Sequence, residues 1–348
     1  MTVFACAGCG GVLTAPVSQV ALPVHAQQTY GHELLAALME PGTYAVNPES
    51  SGPPWRPWAE VGADEAETCG VYAPVHSLSF GPRGAVVVAP GDVRGTVLIP
   101  GRCDGYCLGL DGRDGPNLAC ARCGLAVATR IDDCSFWQAV WLDPRAVRRL
   151  SGDGSARRVL AWETLRQERP GLPPVEQSGA WSPLWEAAVA AAVARLLAVS
   201  AGTPVAVPDG PVAETFRRTL GTLLPPGPSA MNLALAGPGL STAPTDIALV
   251  PQHPQTGETW PHAGAAHVVP LVADVWMYLA FHHDRRPVPG ALPGGIRRDD
   301  PPPPLPYEPF RPDWGVFLYT LARLLEVRQP RLRAIYDRVR DNPYAHPF

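Results

Sequence analysis

The strongest chemical signal in the chain comes from four cysteines. Cys6 and Cys9 stand in Phe4-Ala5-Cys6-Ala7-Gly8-Cys9-Gly10, and Cys120 and Cys123 stand in Leu118-Ala119-Cys120-Ala121-Arg122-Cys123-Gly124. Both segments follow the pattern apolar-A-C-A-x-C-G, and both run into a β-type stretch ending in threonine, Thr14 and Thr129. A C-x-x-C pair lets two thiolates close on one ion from a tight turn. The glycine after the second cysteine permits the positive-φ bend that turns backbone N–H groups toward sulfur. Two such turns supply four sulfurs, enough for a closed tetrahedral site. Two separate buried thiol pairs or a redox dithiol would use the same spacing, but the duplicated flanks favour a shared ion.

These fourteen residues resemble the two knuckles of zinc-ribbon proteins, which carry a C-x-x-C-G hairpin on each side of a tetrahedral zinc. The resemblance implies a structural Zn2+ held by Cys6, Cys9, Cys120 and Cys123. The spacing departs from the family, because Cys9 and Cys120 are more than a hundred residues apart. A β-rich insertion must therefore lie inside a split ribbon, with the metal fastening the N-terminal strand to a hairpin late in the same domain. Structural zinc in small domains contributes about 10–16 kcal/mol of apparent binding free energy, so such an ion would matter for folding.

The other chemically capable residues form weaker patterns. Cys103 and Cys107 could present two ligands from one loop, with Cys69 or Cys134, and His76, completing a second tetrahedron; ordinary buried thiols are the plainer reading. Asp132-Asp133-Cys134 places two carboxylates beside a thiol and reads as a turn. Asp111 to Asn117 lacks the twelve-residue calcium-loop pattern and reads as a tight loop. Five histidines fall between His253 and His283, but no spacing among them matches a known ligand pattern. Ala236 to Thr242 and Val207 to Gly210 sit where phosphate-binding loops sit, yet no G-x-G-x-x-G is present and Pro238 removes a donor.

Composition limits the choices further. Among the 348 residues there are 28 basic side chains, all of them arginine. Without lysine, a Walker A loop, a Schiff-base aldolase, a pyridoxal-phosphate enzyme and a protein kinase are all excluded. A net charge of −4 argues against a protein that coats nucleic acid or anionic membrane. The 46% apolar content is that of a folded chain, and 42 prolines and 34 glycines predict many loops. The first residues lack basic and apolar signal regions, and Ala187 to Ala198 is too short to span a bilayer. A cytoplasmic location is expected, where eight cysteines serve as metal ligands or reduced thiols.

Periodicity predicts a mixed α+β or α/β chain: residues 1–150 as a β-rich zinc-ribbon domain, 151–180 as a short helix and Pro-rich linker, 181–286 as a small α/β layer domain, 287–312 as a second Pro-rich linker, and 313–348 as C-terminal helices. Within the first domain Gly31 to Met39 reads as a helix and Asn47 to Glu67 as a long loop bearing Trp55 and Trp58. In the second half, helices are predicted over Ala156 to Gln167, Ser182 to Leu197, Val212 to Leu224 and Ala263 to His283, then Trp314 to Glu326 and Gln329 to Arg340. Strands are predicted at Pro204 to Val207, Asn232 to Ala236 and Asp246 to Val250. The favoured function is a non-enzymatic interaction or regulatory module whose zinc domain, Trp-bearing loop or Pro-rich tail meets a protein partner. The alternative is an enzyme with structural zinc and an active site near Asp209, Ser241, Asp246, His253 and His262. A nucleic-acid role ranks third because the charge is wrong.

Overall fold

The computed structural model describes residues 1–32, 34–102, 107, 109–152, 154–168, 171–240, 244–281, 306 and 308–342. The chain is α+β and divides into two units, Met1–Val159 with Pro254–Gly257, and Leu160–His253 with Glu258–Phe348.

The first unit is built from strands β1 (Thr2–Cys6), β2 (Ser18–Gln19), β3 (Thr43–Ser50), β4 (Trp55–Pro57), β5 (Ser77–Ser79), β6 (Arg83–Val88), β7 (Thr96–Leu98), β8 (Leu118–Cys120), β9 (Ala126–Ile131), β10 (Ala139–Leu142) and β11 (Val147–Ser151), with helix α1 (Trp58–Thr68). Seven of them form one sheet in the order β2-β3-β6-β10-β9-β8-β7, and β1 pairs with β11 antiparallel, Thr2 opposite Ser151 and Cys6 opposite Val147. Side chains alternate across this sheet as the strand period of two requires. Tyr44, Val86, Val88, Val140 and Leu142 share a core with Phe4, Leu13 and Val17. On the opposite side Ala45, Val87 and Ala139 pack with Leu38, Met39, Trp137 and Trp141. Cys6 and Cys120 belong to the first of these cores, so the chemistry and the packing share one interior.

Two expectations for this unit are corrected. Gly31 to Met39 is not helical. Leu38 N–H donates to Gln138 O at 2.8 Å and Gln138 N–H to Ala36 O at 3.0 Å, so the segment lies beside the lead-in to β10. Leu34 is 71% exposed whereas Leu35, Leu38 and Met39 are buried. A nine-residue period is below the length at which a helix holds by itself, and strand-like pairing wins. Nor is Asn47 to Glu67 a loop. β3 runs to Ser50, and β4 forms a two-stranded ladder with β5 that leads straight into α1.

The second unit contains helices α2 (Trp162–Glu168), α3 (Pro183–Val199), α4 (Pro211–Leu223), α5 (Ala273–Phe281), α6 (Trp314–Ala322) and α7 (Pro330–Asp341), with strands β12 (Val205–Ala206), β13 (Met231–Leu235), β14 (Thr245–Gln252) and β15 (Ala265–Val272). The strands form an all-parallel sheet in sequence order. Helix α3 packs on β15, α4 and α6, and thirteen of its residues from Pro183 to Ala198 are buried. A helix apolar on every side belongs in an interior. Its predicted N-cap, Ser182, sits at the right place but makes no side-chain capping bond, and its buried Oγ has no partner among the described residues. Asp313 does cap α6, accepting from Val316 N–H at 2.7 Å.

The predicted helix from Ala263 to His283 is a strand followed by a helix, β15 then α5. Pro270 explains the difference. It would break a helix interior, but it is tolerated in β15 because that strand is the sheet edge. The expected helix at Ala156 begins only at Trp162. His282 and His283, the linker from Pro287 to Leu305 and the last six residues lie outside the described residues.

Gly95 lies where the chain crosses close over the backbone of Val12. It has φ +57°, and a Cβ there would lie 2.6 Å from the carbonyl oxygen of Val12. Both left-handed backbone and backbone crowding oppose any side chain. Gly95→Ala should therefore lower unfolding free energy by roughly 1–3 kcal/mol, read from the denaturant midpoint of the first transition. An unchanged midpoint would show that this crossing is not under constraint.

Candidate metal centre

Each C-x-x-C-G segment is the tip of a hairpin, and the two tips are copies in backbone geometry as well as in sequence. β1 ends at Cys6, where Cys6 N–H donates to Gly11 O at 2.8 Å and Gly10 N–H to Cys6 O at 2.9 Å. β8 ends at Cys120, where Cys120 N–H donates to Leu125 O at 2.8 Å and Gly124 N–H to Cys120 O at 2.9 Å. Gly10 and Gly124 have φ +72° and +75°, the left-handed turn that closes each tip.

One stretch of chain links the two hairpins. Arg94 N–H donates to Leu13 O at 2.8 Å, on the return side of the first tip, and Thr14 bridges to Val93. Just beyond, Ala121 N–H donates to Gly95 O at 2.9 Å and Thr96 pairs with Cys120. Residues 93–98 therefore pass from one tip to the other, turning at Gly95.

The result is a convergence of four thiols. Cys6 Sγ lies 3.5 Å from Cys123 Sγ, and Cys9 Sγ lies 3.6 Å from Cys120 Sγ. All four sulfurs lie within 4.8 Å of one another, and the cysteines are free. Tetrahedral zinc with ~2.3 Å bonds to sulfur sets sulfurs ~3.8 Å apart, so this donor set suits such an ion, whereas a disulfide would need ~2.05 Å. Cys6 and Cys120 are buried and Cys123 is exposed, which places the group at the edge of the core. The two glycines beside it leave a side chain only ordinary van der Waals distance from sulfur. A Cβ on Gly8 would sit 3.6 Å from Cys123 Sγ, and one on Gly11 would sit 3.4 Å from Cys9 Sγ.

Crowded thiols share protons unequally. Burial opposes ionisation of Cys120, but the amides of Arg122 and Cys123 and the thiols of Cys9 and Cys6 outweigh it and bring the group down to about 7. Cys123 feels a lowering hydrogen bond from the Leu125 amide, yet its thiol neighbours Cys6 and Cys9 hold its proton and push it up to about 12. One sulfur takes the negative charge and another keeps the proton, which a metal ion would replace.

The remaining predicted positions sort differently. Cys107 and Cys134 do come together, but their companion is His32, which nothing in its sequence surroundings marked as a ligand. Cys69 ends α1 and belongs to no cluster among the described residues. Neither does His76, and Cys103 lies outside those residues. Asp132 pairs with Arg130 at 2.6 Å and Asp133 enters a turn, as the sequence suggests. Asp111 pairs with Arg113 inside a tight loop.

The alternative active site does not assemble. Asp246 lies at the start of β14, accepting from Asn232 N–H at 2.7 Å, whereas His253 directly follows the end of that strand. Seven residues of extended chain separate them by about 23 Å. Asp209 pairs at the surface with Arg217 at 2.6 Å. His253 is buried, with Nε2 2.9 Å from Leu160 O and its ring edge-on to Trp162. His262 Nε2 has no partner among the described residues, and Ser241 falls outside them. No histidine of the 253–283 stretch joins a metal-ligating cluster among the described residues.

The sequence did not foresee a cleft of about 620 Å³ in the first unit. Trp55, Phe136 and Trp141 form part of its wall, and Asp111, Arg113, Asp143 and Arg145 line the rest with other residues. The charges are neutralised in place: Arg145 grips Asp143 at 2.9 and 3.1 Å, and Arg113 grips Asp111. Burial works against ionisation of Asp143, but the hydrogen bonds from Arg145 prevail and hold it below the usual carboxylate range.

Metal uptake by the four thiols must displace protons, so affinity should fall as pH drops through about 7, where Cys120 takes up its proton. Titration calorimetry in two buffers of different ionisation enthalpy should report net proton release on metal addition. Buffer-independent heats would show that the thiols do not bind the ion. No family model, curated protein or solved structure matches the chain, so its function rests on what these residues can do.

Proposed function

We propose that Cys6, Cys9, Cys120 and Cys123 hold one structural Zn2+ in a split zinc-ribbon-like centre, and that the unit so closed is a cytoplasmic, non-enzymatic module that binds a protein partner. The observation that carries the metal reading is the spacing of 3.5 and 3.6 Å between sulfurs from opposite hairpins. When bound, zinc supplies a tetrahedral cross-link with no open position for a substrate. Cys6 and Cys120 anchor it in the core, while Gly10 and Gly124 keep the two tips tight. Consistent with a cytoplasmic chain, no described helix is long and apolar enough to cross a membrane.

Partner binding is supported by the cleft. Its volume is in the range of sites for small molecules or peptide side chains, and Trp55, Phe136 and Trp141 form part of its wall. Trp55 stands 51% exposed at this surface, an amphipathic anchor of the type enriched in interface hot spots. With Asp143 and Asp111 neutralised by neighbouring arginines, the cleft offers little to a phosphate and suits an uncharged apolar side chain.

Chelation should raise amide exchange in Thr2 to Thr14 and Leu118 to Thr129 together, while Pro183 to Val199 stays protected. A rise at one tip alone would mean that the cysteines do not share an ion. For the binding role, peptide display against the zinc-loaded protein should enrich apolar anchor residues. Trp55→Ala should weaken the best peptide by at least ~30-fold with zinc content unchanged, in line with the ~2 kcal/mol or more expected of a hot spot. Peptides that ignore this substitution would move the partner site elsewhere.

A further inference from the structure

We infer that the first unit carries a second zinc site, formed by His32, Cys107 and Cys134, with three protein ligands and a fourth position open to solvent. The ligand atoms lie within 4.8 Å of one another. His32 Nδ1 is 3.7 Å from Cys134 Sγ and 4.0 Å from Cys107 Sγ. Tetrahedral zinc with bonds of ~2.3 Å to sulfur and ~2.05 Å to nitrogen sets such donors ~3.6 Å apart, so small side-chain adjustments bring all three onto one ion. Two thiolates and an imidazole are a donor set for zinc and softer ions, not for calcium or magnesium.

Three separated pieces of chain are held for this meeting. Asp133 is buried, and its carboxylate accepts from both cysteine amides, Cys134 N–H at 2.8 Å and Cys107 N–H at 3.4 Å. It thereby orients both thiol-bearing residues from behind, as outer-shell groups do in metal sites. The Cys107 segment is tied down by Asp132 N–H donating to Leu110 O at 2.7 Å. The His32 segment is tied to that of Cys134 by Tyr30 N–H donating to Ser135 O at 2.8 Å and by the Thr29–Phe136 bridge. His32 and Ser135 both have positive φ, +32° and +76°, in a region non-glycine residues rarely enter. Such backbone persists where surrounding contacts impose it, and here it occurs at one ligand and directly beside another.

The two clusters differ in kind. The four-thiolate group is half in the core, whereas His32 and Cys107 are exposed and Cys134 is partly so. An ion with three protein ligands at the surface completes its tetrahedron with water or an added donor, the arrangement of reactive rather than purely structural zinc. The site also borders the cleft along the chain. Thr29, Ile131 and Phe136 line that cavity and are two or three residues from His32 and Cys134, a reach of at most about 10 Å. A donor group on whatever enters the cleft could thus take the fourth position.

The test uses the full chain, reduced and loaded with zinc alone. Wild type should bind two equivalents. Cys107→Ser/Cys134→Ser should bind one, with a denaturant midpoint unchanged in the metal-free state because these residues lie outside the core. His32→Ala should weaken the second equivalent by more than about 100-fold, since even outer-shell losses cost 10–100-fold. In the cobalt-substituted protein, azide should shift the visible bands of wild type but not those of the double variant, because only an open position admits it. Two equivalents retained by the double variant, or a second equivalent of undiminished affinity in His32→Ala, would mean zinc held elsewhere and would overturn the site. A single wild-type equivalent that survives Cys107→Ser/Cys134→Ser would overturn it as well. A single equivalent lost in that variant would instead leave this site standing and remove the four-thiolate one. Cobalt bands indifferent to azide would overturn the open position.

Discussion

Four thiols converge within 4.8 Å of one another, and the hairpins and core of the first unit are arranged so as to hold them there. Without an ion, the group divides its charge, drawing Cys120 down to about 7 while Cys123 is driven up to about 12. The protein keeps the sulfurs together at this cost by building each pair into a hairpin tip whose backbone bonds are complete. Surface ion pairs such as Arg157–Glu40 at 3.0 Å could not do so, being worth about 0–1 kcal/mol each. A four-thiolate zinc contributes more than ten times that amount.

This arrangement accounts for the tolerance of a hundred-residue insertion between the tips. Loop closure grows with the logarithm of length, so closing a hundred residues costs only about 1.4 kcal/mol more than closing twenty. The insertion in turn makes the cross-link useful, because it carries most of the seven-stranded sheet. Its strands supply Tyr44, Val86 and Val88 to the same interior that holds Cys6 and Cys120. Residues 93–98 add a second connection through backbone hydrogen bonds to both tips. The four thiols and the main chain thus meet at the same junction, and a metal held there would add its bonds to the strand pairing.

The two cysteine clusters of this unit also separate two uses of one chemistry. Where the sulfurs are four and partly in the core, an ion would find its tetrahedron filled by protein, as in structural sites. Where two sulfurs and one imidazole meet at the surface, the site has a vacancy in its coordination and lies along the chain from an aromatic cleft. The cleft's Arg–Asp pairs neutralise one another, so what it offers is mainly shape and the three aromatic side chains in its wall. The parallel sheet of the second unit, by contrast, gathers no cluster from the histidines and carboxylates the sequence offers among its described residues.

The four-cysteine group was legible in the sequence because its information is local and duplicated: C-x-x-C-G encodes a turn wherever it occurs, and two copies identify each other. The amphipathic periods of α4 and α7, and the apolar run of α3, were equally local. What the tertiary structure decided is everything that depends on a partner far along the chain. Gly31 to Met39 has a helical period but pairs with the stretch before β10, and Pro270 sits in a strand because, among the described residues, no strand bonds the far side of β15. His32 could not be read as a ligand, since it precedes Cys107 and Cys134 by 75 and 102 residues and carries no motif. Only the ladder from Thr29 to Phe136, and the buried carboxylate of Asp133, bring the three together. Local pattern specifies turns and helices through short-range sterics and hydrogen bonds, whereas a site made of single residues from separate strands exists only once register has been set.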